Sequence, residues 1–166
     1  YSNTLFQCAN LKQLTKKKVD GEEVIITTYR GRFYEFDFKK PFKEDIVILQ
    51  PSKIKSIRGY EKVDTESIKF NSELQIFAKN KLEVFYLFTP QIIEAFNRFD
   101  EKYNDHITFS FIDSKLSILI DNKVDGVIKS MLKKKKTIRS NVLQHEAKDI
   151  KEFIDLFELK KDFFKE

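Results

Sequence analysis

Glu35 and Asp37, two positions apart in YRGRFYEFDFKKPF, are the first residues of the chain whose types and spacing could do chemistry. On a strand they share a face, where two carboxylates can hold a cation or divide the roles of general acid and base. The stretch also offers a plainer account. Tyr34, Phe36 and Phe38 alternate with the two acids, as in any strand with one buried and one wet face. The plainer account is preferred, and it makes the rings core rather than docking surface.

Other routes to catalysis lack parts. A nucleophile needs a base within reach, and the two histidines read as exposed boundary residues, His106 opening a strand and His145 preceding the last helix. Cys8 is alone, which excludes an internal disulfide and a thiolate zinc site, and it reads as a small buried residue on an early strand. Gly21, Gly31, Gly59 and Gly126 are isolated, so no loop can cradle a phosphate. The reading is a non-enzyme with no cofactor and no metal.

Two basic clusters remain as candidate contacts: Lys16, Lys17 and Lys18 in the first hairpin loop, and Lys133, Lys134, Lys135 and Lys136 with Arg139 before the last helix. A lysine run is ordinarily a solvated segment. Beside an anionic leaflet each lysine contributes about 1 kcal/mol, enough to orient a domain that is already tethered, and Met131 and Leu132 could insert shallowly. A second use is nucleic-acid binding, with Arg30 and Arg32 gripping phosphates while Tyr29, Phe33 and Tyr34 stack on bases. That use requires exposed rings.

The totals frame these choices. The chain has 166 residues, 41% hydrophobic and 34% charged, which suits one soluble domain (1–166) that buries roughly 70% of its unfolded surface. Seventeen Phe and six Tyr without Trp make phenyl rings the main core material. The net charge of +5 invites anionic partners, but plentiful Lys, Asn, Ile and Phe also match coding by an AT-rich genome. No run of about 18 apolar residues is present. The chain opens on Tyr1 and its only Met is Met131, which predicts a fragment of a longer protein.

The elements that must position these residues follow from periodicity and turn signals. Asp20-Gly21 predicts a turn between an irregular first arm and a long strand from Val24 to Phe38, whose alternation fails around Gly31 and predicts a bulge or sharp bend there. Ile46 to Leu49 reads as a buried strand, Ser52 to Asn71 as irregular with Ile54 and Ile57 as anchors, and Leu74 to Phe77 as a strand. Lys81 to Phe88 fits a helix capped by Asn80 somewhat better than a strand alternating at Leu82, Val84, Tyr86 and Phe88. Thr89 as N-cap and Pro90 at the first helical position predict a helix to about Tyr103, with Ile92, Phe96, Phe99 and Tyr103 on one face. Ile107 to Phe111 and Leu116 to Ile120 alternate about Asp113-Ser114 as a second hairpin. A final amphipathic helix from about Glu146 presents Ile150, Phe153, Ile154 and Phe157. The expected class is α+β: an antiparallel sheet from two hairpins, one long, with a Thr-Pro-capped helix and a C-terminal amphipathic helix.

Three blocks, YRGRFYEFDFKKPFKEDIVIL, LEVFYLFTP and FSFIDSKLSILI, resemble the bacterial domain of unknown function 3137 family over roughly Asn3 to Ile120. The resemblance implies a fold and no chemistry. It also implies apolar membrane segments ahead of the domain. The single Cys8 favours a reducing, cytosol-facing side, so the expectation is a cytoplasmic domain held at a membrane. The expected function is a non-catalytic module that contacts a protein partner or the anionic inner leaflet, with nucleic acid as the alternative partner.

Overall fold

Asp20 and Gly21 both take positive φ, 51° and 88°, in a two-residue turn of the kind that matches the twist of paired strands. The turn joins β1 (Leu5–Val19) to β2 (Glu22–Asp37), a hairpin about twice as long as the other hairpin among the described residues, His106–Ile112 with Lys115–Asp121. The computed structural model describes residues 5–51, 54–103, 106–121, 148–157 and 163–165. It continues with β3 (Ile46–Leu49), β4 (Glu61–Val63), α1 (Ile68–Glu73), β5 (Gln75–Ala78), α2 (Lys81–Leu87), α3 (Pro90–Tyr103), β6 (His106–Ile112) and β7 (Lys115–Asp121). Residues 148–157 form a further helix. The strands make one seven-stranded sheet in the order β1-β2-β7-β6-β3-β5-β4, with every described neighbour antiparallel. The class is therefore α+β, as the sequence predicts.

The register explains which residues are core. Tyr34 and Phe36 lie opposite Ile118 and Leu116 of β7, these opposite Phe109 and Phe111 of β6, and these opposite Ile48 and Ile46 of β3. All eight side chains are buried on one face. Helix α3 and residues 148–157 cover that face with rings. Phe96 meets Phe109 edge-on with centroids 4.9 Å apart and Phe153 at 5.1 Å, and Phe111 meets Phe157 at 5.2 Å. Burying one such side chain contributes about 1.5–3 kcal/mol. Phe38, Phe42 and Phe164 close one end, where Phe42 also forms an isolated bridge to Phe164. The aromatic stretch from Tyr29 to Phe42 is thus largely interior.

Local details depart from the expectations. The bulge lies three residues before Gly31, because Gln13 pairs with Tyr29 and Leu14 with Thr27, leaving Thr28 as the extra residue. Gly31 has a different reason: a Cβ built there would stand 1.8 Å from the carbonyl oxygen of Ile120. The segment from Ser52 to Asn71 contains β4 and the start of α1, and Ile54 is exposed rather than an anchor. Ser67 caps α1 by accepting from the Phe70 amide, a signal the sequence reading passed over, and Asn80 caps α2 as expected. Thr89 precedes α3, but its carbonyl, not its hydroxyl, receives the Ile92 and Ile93 amides, and the buried hydroxyl has no hydrogen-bond partner. Among the described residues no helix is long and apolar enough to cross a membrane.

Candidate interaction surface

β7 is described as far as Asp121, so from Gly31 outward β2 keeps only β1 as a neighbour among the described residues. Among these residues the two strands run on beyond the others as a two-stranded arm. Its residues are exposed from Leu11 to Leu14 and from Lys16 to Ile25. The base of the arm is fixed: the Arg30 amide donates to Asp121 Oδ1 at 3.3 Å, and the Tyr29 hydroxyl donates to the Arg32 carbonyl at 2.7 Å. Burial, with Asp121 adding to it, pushes the Tyr29 phenol up to about 12.

Pairing sorts the side chains of the arm onto two faces. Lys12, Leu14, Lys16 and Lys18 share the helix-covered side of the sheet with their partners Arg30, Thr27, Ile25 and Glu23. The other side carries Leu11, Lys17, Val19, Val24, Ile26 and Tyr29. Leu14 is 54% exposed and Ile25 62%. One face is therefore basic and the other mainly apolar, and neither has a covering layer among the described residues.

The sequence placed Lys16, Lys17 and Lys18 in a loop, whereas they lie on β1, paired with Ile25, Val24 and Glu23. Alternation then separates Lys17 from the other two. Lys16 is held to Glu23 at 3.3 Å, an exposed pair worth well under 1 kcal/mol. Lys133, Lys134, Lys135, Lys136 and Arg139 lie outside the described residues, as does His145. Cys8 is exposed on β1 rather than buried, because the edge strand has no neighbour on its far side among the described residues.

The residues with chemical potential are occupied locally. Glu35 takes the Lys115 ammonium at 2.9 Å, and Asp37 Oδ1 accepts from the Ser114 hydroxyl at 2.8 Å. His106 is exposed at the start of β6 with Nδ1 2.8 Å from Gln50 Oε1, while Gln50 donates to Asp100 at 2.7 Å. An amide between imidazole and carboxylate cannot relay a proton, so the row is not a catalytic triad. Burial raises the Asp100 carboxyl. The nucleic-acid set is divided by the pleat: Arg30 and Arg32 share the face of buried Tyr34, while Tyr29 and Phe33 lie on the opposite face. No single surface offers both the cations and the rings.

A family model described as "Protein of unknown function (DUF3137)" matches residues 27–160. The match runs past Ile120, where the resemblance was expected to fade, and begins at Thr27, beside the bulge, so the outer arm precedes it. No curated protein and no solved structure matches the chain.

Proposed function

The chain belongs to the DUF3137 family of proteins of unknown function, and from that premise we propose that it is a non-catalytic interaction module whose β1–β2 arm is the contact element. The proposal includes its place in the cell: the domain is the soluble, cytoplasmic part of a membrane-anchored bacterial protein. The arm carries the reading. Isolated two-stranded ribbons are marginal in water, and this one exposes Leu14 and Ile25 on one face and Leu11, Val19 and Val24 on the other. A ribbon of that composition gains stability when a partner covers it.

A protein partner suits the arm better than an anionic leaflet. The turn end carries Asp20, Glu22 and Glu23 beside Lys17 and Lys18, so a tip-first approach offers the lipid no net positive charge. The leaflet is kept as a second reading because Lys12, Lys16, Lys18 and Arg30 share one face with Leu14 and Ile25, which would allow the arm to lie flat.

A photoreactive residue at position 24, compared with one at exposed Ile68 on α1, tests the reading in the full-length protein in its own cells. A discrete protein adduct from position 24 and none from position 68 is the expected result. Lipid adducts alone would replace the protein partner by the leaflet, and the absence of any adduct specific to the arm would sink the proposal.

A further inference from the structure

We propose that the outer edge of β1 is a docking edge for an acidic extended segment of a partner protein, which adds to the seven-stranded sheet as an eighth strand. The inference rests on the interaction reading above and specifies the chemistry of the partner.

β1 is the terminal strand of the sheet and is 15 residues long, where natural edge strands are ordinarily short, bent or covered. No described strand pairs with the far side of its outer half, Leu11–Val19, so among the described residues a row of backbone donors and acceptors lies open there. The opposite end of the sheet is treated differently, since β4 has only three residues. The outer part of β2 is a poorer template, because the Asp121 carboxylate takes the Arg30 amide and the Ile120 carbonyl crowds Gly31 at its base.

Charge selects the partner. β1 contains Lys12, Lys16, Lys17 and Lys18 and no acidic residue. Lysines on an edge also protect against self-pairing. Two copies meeting edge to edge would bring the same four lysines twice to one seam without a carboxylate, which disfavours a second copy. An incoming strand with acids at alternate positions satisfies the backbone and meets Lys12, Lys16 and Lys18 on one face. The residues between those acids lie beside Leu11, Gln13, Thr15, Lys17 and Val19 on the other face, where apolar side chains meet Leu11 and Val19 at the two ends. A lipid headgroup supplies charge but no ladder of amides and carbonyls, so it would leave the edge unpaired.

The test adds an alternating glutamate–valine peptide to the full chain and follows backbone amide shifts and exchange. Protection confined to β1, weakened about tenfold or more by K12E/K16E/K17E/K18E, is expected. The same peptide N-methylated at consecutive central nitrogens keeps its charge but cannot join a ladder, and its binding should be lost. Equal binding of the methylated peptide, or no binding of either, would overturn strand addition. So would a dimer whose β1 amides are protected before any peptide is added. If strand addition fails while the position-24 adduct persists, the interaction reading stands without this mechanism.

Discussion

Gly31 shows how one missing atom is required by packing rather than by backbone conformation. Its Cβ would collide with the backbone of Ile120, which cannot swing aside as a side chain can. Gly31→Ala is expected to cost about 1–3 kcal/mol, measured by denaturant unfolding, with the loss concentrated where β2 meets β7. An unchanged midpoint would refute the close approach. Tyr29 makes a pH prediction. Its folded value lies above the ordinary 10.0, so the protonated phenol favours folding. That contribution is complete below about pH 10 and disappears as the pH rises through about 12. Tyr29→Phe should therefore remove part of the stability loss that the parent chain shows across this window, with the two unfolding curves converging at its upper end. Both residues were visible in the sequence, but their roles were not. Gly31 reads as a bulge because alternation fails near it, yet a bulge is a property of pairing, and the pairing puts the extra residue at Thr28.

At the scale of elements, the hairpins and helices were legible because their signals are local. Asp20-Gly21 and Asp113-Ser114 turn the chain, Asn80 and Pro90 mark helix starts, and ring periodicity fixes which faces are buried. The arm was not legible. Its projection depends on where β7 ends relative to β2, a contact across some ninety residues, and nothing in KKKVDGE tells a loop from a paired strand. The exposure of Cys8 is non-local in another way, since it depends on β1 being the edge strand of the described sheet. If the arm serves contact rather than the fold, joining Leu14 to Thr27 through an Asp-Gly turn should leave the body folded, with a stability change below about 1 kcal/mol in denaturant unfolding. Loss of cooperative unfolding would show that the arm is part of the core.

At the scale of the whole molecule, the described residues form a phenyl-rich body with an exposed ribbon at one edge. Phe96 is the hub of the body, with rings of Phe70, Phe88, Phe109, Phe111, Phe153 and Phe157 around it. Phe96→Ala should cost about 3–5 kcal/mol by denaturant unfolding, and the arm's own exchange should be indifferent to it. The account's central claim is that the body stands by itself while the arm awaits a covering partner. Amide hydrogen exchange of the isolated chain tests this most directly. The account predicts that residues 14–27 exchange about a hundredfold or more faster than the buried positions of β3, β6 and β7. Arm amides as slow as those of β6 and β7 would contradict it, because the ribbon would then be stable without anything to cover it.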